Sequence, residues 1–298
     1  MNKTHEDILF GTIQETMKSS YQKQFVDIKC DDHYYYIYKH LSFDQNLYVL
    51  NLFRKLQLKF TPPDNFNDPY DCMAEIKFED VPNAHHEILQ KHFSDAIRAN
   101  LSVTCFNNNP LNMLMWSHYA QSHKGFLVEF KIPHPTFEWV HDAFNFQPVI
   151  YQDEFPKFPL LMSDPLRFFR PEFSAEMLGF VSNQYLVKAK DWEYEKEFRV
   201  LAHDYDKNNF DSLLKTIPSK YISSVILGAK LTDEDANKFK LLEAISYFNT
   251  TYKEQVKVYQ AELKPNSFKI FVKDHPILDR KTKTLKDFLF SETHQENS

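Results

Sequence analysis

The chain has 298 residues, of which 43% are apolar, 26% charged and 16% aromatic, and its formal net charge is −6. That length allows one large domain or two small ones and buries a core without disulfides or metals. The charge balance lacks the basic face of a dedicated DNA binder, and the four glycines (Gly11, Gly125, Gly179, Gly228) cannot make a G-x-G-x-x-G turn or a Walker A loop.

Cys30, Cys72 and Cys105 are odd in number and form no C-x-x-C pair, which predicts reduced thiols in the cytosol. The first twenty residues lack the basic start and apolar core of a signal peptide. No segment offers the roughly 20 apolar residues that span a bilayer. The expected location is the cytoplasm, with no membrane partner.

In chain order, residues 1–33 are polar and mixed and are expected to form an appended arm or helix. Tyr34–Tyr38 is a dense strand former. Ser42-Phe-Asp-Gln45 fits a capping box, with Val49, Leu52, Phe53 and Leu56 at helical spacing behind it. Leu58–Thr61 reads as a short strand, stopped by Pro62-Pro63, and Asp64–Pro69 is turn chemistry. Leu89, Phe93, Ala96 and Ile97 predict a helix, and Leu101, Val103 and Cys105 alternate as a strand. A helix is expected over residues 111–122, with strands at Phe126–Lys131 and Pro148–Gln152. Residues 153–172 read as a long loop of the lid kind, and Ser174–Val187 as a helix. Strands are expected at Glu197–Ala202 and Ile222–Leu227. Thr232 then opens a helix carrying Leu241, Leu242, Ile245 and Phe248, and strands follow at Val256–Glu262 and Phe268–Val272. Without regular βαβ alternation the order predicts an α+β fold, a mixed and mostly antiparallel sheet core with flanking helices. The domain runs over 34–278, and 279–298 form a polar tail.

Three blocks could carry chemistry. In Asn65-Phe-Asn-Asp-Pro-Tyr70, Asn67 and Asp68 either cap a polar turn or bind a ligand. In Met115-Trp-Ser-His-Tyr-Ala120, followed by His123-Lys-Gly125, helical spacing puts Met115, His118 and Tyr119 on one face. His118 and His123 lie five apart, about 140° around a helix, which is poor geometry for gripping one ion, and there is no H-E-x-x-H; no metal is expected. Cys105 with His118 as base is a nucleophile pattern, but its apolar alternation suits a buried inert thiol better. In Asp191–Arg199, strand alternation puts Glu195, Glu197 and Arg199 on one face, with Phe198 and Val200 on the other. That describes either a solvated edge strand or a carboxylate in a cleft, oriented by a neighbouring cation. Tyr194, two before Lys196, disfavours a nuclease of the E-x-K kind.

Tyr38-Lys39, Phe66-Asn-Asp-Pro69, Cys105-Phe106, Met115–Ala120 with His123–Gly125, and Trp192-x-Tyr-Glu-x-Glu-x-Arg199 resemble, in order, the bacterial family called domain of unknown function 2971, over roughly residues 34–275. That family name carries no activity. A more distant resemblance is to ADP-ribosyltransferases of the bacterial-toxin type. In that likeness Tyr38-Lys39 lies on the first strand, Lys39 or His40 replaces the usual Arg or His, Thr104 is the hydroxylic residue of the middle strand, and Glu195-Lys-Glu197 is the E-x-E.

The second resemblance implies NAD as co-substrate. Glu197 would stabilise an oxocarbenium-like charge and Glu195 would activate the acceptor. Lys39 would meet the diphosphate, Tyr119 or Trp116 would stack a ring, and Arg199 would hold a glutamate ionised. The acceptor stays open: protein, nucleic acid, small molecule or water. Two other classes stand beside it. One is a non-catalytic ligand- or partner-binding regulatory module, such as part of a toxin or phage-defence system; the other is a metal-dependent nucleic-acid-processing enzyme using a local basic groove.

Overall fold

The computed structural model describes residues 27–78, 85–91, 101–133, 146–160, 184–202, 206, 209–279 and 283–284. Within them the strands are β1 (Tyr34–Leu41), β2 (Gln57–Lys59), β3 (Glu75–Phe78), β4 (Ser102–Asn107), β5 (Phe126–Pro133), β6 (Gln147–Pro148), β7 (Ile150–Gln152), β8 (Lys157–Leu160), β9 (Val187–Ala189), β10 (Glu197–Ala202), β11 (Leu214–Thr216), β12 (Ile222–Leu227), β13 (Lys257–Leu263) and β14 (Ile270–Val272). The α-helices referred to below are α1 (Asn51–Arg54), α2 (Met113–Tyr119) and α3 (Ala236–Tyr252). Residues 1–26 of the expected arm, 92–97 of one expected helix, 161–172 of the expected loop, 174–183 of the next helix and most of the tail lie outside the described residues.

Eight strands form one sheet in the order β14-β13-β12-β5-β1-β4-β10-β6. Every neighbouring pair is antiparallel except β12–β13, which α3 joins as a crossover. The architecture is α+β, with a mixed and mostly antiparallel sheet. Both faces of the sheet centre are covered, which is why β5 is buried at almost every position rather than alternating. On one face Ile37, Val128, Phe198 and Val225 pack with Phe53, Leu241, Ile245 and Phe248 from the helices. Phe53 and Phe248 meet edge to face at 6.0 Å. On the other face Tyr38, Leu127, Ile226 and Ala261 pack with Trp116, Ile270 and Ile277. Each such large apolar side chain contributes about 1.5–3 kcal/mol by leaving water.

Several expectations are corrected locally. The helix behind Ser42 is a 3-10 turn (Tyr48–Leu50) running into the four-residue α1, with Leu47 rather than Ser42 at its N-cap position. The carboxylate of Asp44 accepts the backbone N–H groups of Asn46, Tyr48 and Val49. Ser42 instead donates to the carbonyl of Tyr119 at 3.0 Å. Leu242 is 38% exposed, and Ala244 takes the core position on α3. Ile28 and Cys30, expected in the arm, are fully buried in the core, and Lys29 bridges Thr284 of the expected tail.

The helix expected to reach residue 122 stops at Tyr119. Gln121, Ser122 and His123 all have positive φ, at 49°, 52° and 71°. This left-handed turn packs at the ends of β5 and β12, where Gly228 N–H donates to the carbonyl of Gly125 at 2.9 Å. A Cβ on Gly125 would sit 2.3 Å from the carbonyl oxygen of Leu41, so the packing of this turn requires glycine there.

The second face also buries a polar cluster. A bulge in β12 between Ile222 and Ser224 aims two successive serines at one oxygen: Ser223 and Ser224 donate to Glu129 Oε1 at 2.8 and 3.1 Å. His275 Nε2 lies 3.1 Å from Ser224 Oγ and 3.5 Å from Glu129 Oε2. His275 Nδ1 accepts the backbone N–H groups of Ile277 and Leu278, each at 3.2 Å, so the ring proton sits on Nε2. Burial pushes Glu129 up to about 7, with its hydroxyl donors offsetting only part of the effect, and burial pushes His275 down to about 4. Between about pH 4 and about pH 7 the pair is a neutral carboxyl and a neutral imidazole. Nε2 donates, so His275 is not the base of a serine nucleophile.

Candidate functional site

The sheet is unzipped at one place. β1 and β4 are in register only at Tyr38 and Asn107, whereas β4 pairs with β10 along all six residues. Further along, Thr61 takes over the free edge of β4, exchanging hydrogen bonds with Val103 at 2.8 and 2.9 Å. Between these two contacts Lys39 Nζ donates to the carbonyl of Cys105 at 2.8 Å, supplying a donor that a neighbouring strand would otherwise provide. A cavity of about 370 Å³ opens beside this split, lined by parts of β1, β4, β9, β10, α2 and the segment from Thr61 to Asp71.

Its floor is a lattice of charges. Arg199 is fully buried and grips Asp71 through two parallel bonds of 2.8 and 2.7 Å, while its Nε donates to Glu197 Oε1 at 2.8 Å. Lys188 Nζ lies 2.6 Å from Glu195 Oε2, 3.1 Å from Glu197 Oε2 and 3.6 Å from Asp71 Oδ2. Two cations therefore hold three carboxylates, and none of these five charges is left alone, as burial requires. The ring of Phe66 lies 5.5 Å from the guanidinium of Arg199, and Trp192 covers Lys188 at 4.8 Å. The backbone N–H of Glu197 donates to the hydroxyl of Tyr151 at 2.8 Å.

The two glutamates differ in proton affinity although one ammonium touches both. Burial pushes Glu197 up, but Arg199 and then Lys188 more than offset it, leaving the carboxyl well below the usual range. Among the described residues Glu195 has no guanidinium partner; burial, followed by repulsion from Glu197, pushes it up to about 7 despite Lys188. Lys188 itself is held protonated, because Glu197, Glu195 and Asp71 together outweigh burial. Of the two glutamates, Glu197 is thus held ionised at neutral pH and Glu195 exchanges its proton.

Tyr119 forms the wall above Glu195. Its hydroxyl donates to Glu195 Oε1 at 2.5 Å and receives the side-chain amide of Asn67 at 3.4 Å. Asn112 caps α2 by accepting the N–H of Leu114 at 2.8 Å. Met115, His118 and Tyr119 all line the cavity, as their shared helix face predicts.

Of the expected site residues, Lys39, Asn67, His118, Tyr119, Glu195, Glu197 and Arg199 come together around this cavity. Three do not line it. Tyr38 is 1% exposed, with its hydroxyl beside Glu129 on the covered face. Trp116 is fully buried and donates to the carbonyl of Pro110 at 2.7 Å, so its ring cannot stack a ligand. Asp68 accepts the N–H of Tyr70 at 2.8 Å in a turn that delivers Asp71 to Arg199. Thr104 is buried on the opposite face of β4 from Cys105. The Cys105 thiol does line the cavity, and burial followed by Glu197 pushes it well up, the condition of an inert thiol.

Of the two readings of Asp191–Arg199, the solvated edge strand is corrected: β10 lies between β4 and β6, with Glu197 and Arg199 buried. Asp71 and Lys188 were not expected in the site. The available signal was a charge with apolar residues on both sides: Lys188 lies between Val187 and Ala189, and Asp71 between Tyr70 and Cys72. Among the described residues no group of three or more His, Cys, Asp or Glu side chains is set to hold a metal ion, and no helix is long and apolar enough to cross a membrane.

Residues 115–200 match the model of a family described as "Protein of unknown function (DUF2971)". That stretch runs from α2 to β10 and carries Tyr119, Lys188, Glu195, Glu197 and Arg199, most of the charged floor and its wall. No curated protein and no solved structure matches the chain.

Proposed function

We propose that the cavity is the active site of an enzyme that breaks the nicotinamide–ribose bond of NAD, as an ADP-ribosyltransferase or an NAD glycohydrolase. The observation that supports this best is the Glu195–Lys188–Glu197 arrangement: two carboxyl groups on one ammonium, one permanently ionised and one exchanging its proton near neutral pH. Glycosyl bond cleavage needs that division of labour. Glu197, pinned by Arg199, is the fixed negative charge beneath a developing cationic centre, and it needs no reorganisation during reaction. Glu195 takes the proton from the acceptor, and Tyr119 holds its carboxyl in one orientation. The cavity's 370 Å³ suits the reacting half of a dinucleotide.

A second reading rests on a different observation. Both oxygens of Glu197 already accept bonds from Arg199 or Lys188, as in the inert floor of a binding cleft. A non-catalytic ligand-binding module would be built this way. Purified protein is incubated with NAD, and nicotinamide release is followed by chromatography beside Glu195→Gln and Glu197→Gln. Release by wild type, lost in both variants, is expected. Stabilisation of the protein by NAD without release would support the binding module. Neither release nor stabilisation would remove NAD from consideration.

A further inference from the structure

Three cations line the cavity, Lys39, Lys188 and Arg199, facing three acidic groups, Asp71, Glu195 and Glu197. The acidic groups are all committed to Lys188 and Arg199. Among the described residues Lys39 has no carboxylate within 4.0 Å; its contacts are the carbonyl of Cys105 and the ring of Phe106 at 5.3 Å. An ammonium has three donors, and the Cys105 carbonyl uses one. Burial lowers the proton affinity of Lys39, but Glu197 works the other way. Among the described residues the cavity thus has an acid-lined floor and one cation without a counterion.

We propose that Lys39 is an anion-binding subsite for a ligand carrying a carboxylate or a phosphate-type group, and that filling it draws a proton onto Glu195. The inference rests on the cavity being a ligand site and not on NAD being the ligand. With Glu195 ionised, the three cations and three carboxylates balance. An anion brought to Lys39 puts the cavity one negative charge in excess, in surroundings that screen charge poorly.

The excess is relieved most easily at the acidic group held by the fewest cations. The charged and titratable groups facing Glu195 are Lys188 on β9, Glu197 and Arg199 on β10, Asp71 on the preceding loop, Tyr119 on α2, Tyr151 on β7 and the adjacent Tyr194. Arg199 bonds Asp71 and Glu197 directly but not Glu195, so Glu195 is the group that takes the proton. No covalent step is involved: one proton passes from solvent to a Glu195 oxygen as the anion enters.

The test uses full-length protein and two monoanions that do not titrate near neutral pH, acetate as a planar carboxylate and methanesulfonate as a tetrahedral stand-in for a phosphate group. Binding is followed at pH 7 by NMR titration. Calorimetry in two buffers of different ionisation heat reports proton uptake. Saturable binding of at least one probe is expected, weakened about tenfold or more in Lys39→Met and largely kept in Lys39→Arg. The preferred probe tells carboxylate from phosphate chemistry. At pH 7, where about half of Glu195 already carries its proton, up to about half a proton is taken up per bound anion, and none in Glu195→Gln, which still binds. Binding by neither probe, equal binding by Lys39→Met, or uptake unchanged in Glu195→Gln would each overturn the proposal. These readouts need no turnover, so they fail independently of the NAD test.

Discussion

The Glu129–His275 pair makes the pH dependence of stability unusually open to dissection. Folding raises Glu129 from 4.5 to about 7, so its contribution is fully present below pH 4.5 and is lost as pH rises through 7. Folding lowers His275 from 6.5 to about 4, so its contribution is fully present above pH 6.5 and is lost as pH falls through 4. At about 1.4 kcal/mol per pH unit each amounts to about 3 kcal/mol, with opposite signs over nearly the same pH range. In the wild type the two slopes largely cancel. Glu129→Gln keeps a hydrogen-bonding group beside Ser223 and Ser224 but removes one slope. Relative to wild type, this variant should gain about 3 kcal/mol between pH 4.5 and pH 7.5, read by urea unfolding at both values. His275→Gln should lose a similar amount over the same interval. Taking differences from wild type removes the titrating groups that do not touch the altered side chain. A Glu129→Gln difference equal at both pH values to within about 1 kcal/mol would show that Glu129 is not held neutral in the fold and would refute the reasoning.

Other perturbations reach the site and its supports. Arg199→Met leaves Asp71 and Glu197 buried without their guanidinium and should cost about 3–5 kcal/mol in urea unfolding. Arg199→Lys should recover only part of that loss, because one ammonium cannot copy the two-pronged grip. Gly125→Ala drives a methyl against the backbone of Leu41 and Ala120 and should cost about 1–3 kcal/mol, seen as a lower Tm. Ser122→Gly, in the middle of the left-handed turn, relieves strain and should raise stability by up to about 1 kcal/mol in the same assay.

The strand carrying Glu197 and Arg199 was legible from the sequence because its logic is local. Period-two alternation is enough to put both on one face, and apolar Phe198 and Val200 identify the other. The α2 face with Met115, His118 and Tyr119 was legible for the same reason. Asp71 and Lys188 were not. Asp71 meets an arginine 128 residues later, and Lys188 sits on a three-residue strand with no periodic pattern. Their roles arise from chain crossings that no local spacing records. Tyr38 and Trp116 were misplaced because an aromatic side chain looks the same in sequence whether it lines a cavity or fills a core. Burial decided both, through Glu129 for one and Pro110 for the other. The turn after Tyr119 contains no glycine at its three left-handed residues, so no breaker announced it.

The lysine that spans the gap between β1 and β4 is a rung of a different kind from its neighbours. A peptide rung is fixed to its strand and parts only when the strands part. A lysine rung hangs on rotatable bonds and can let go of the Cys105 carbonyl and return while Tyr38 and Asn107 stay paired. At this point the sheet can be interrupted and restored by one side chain, so the framework around the charged floor need not yield for a visitor to come and go.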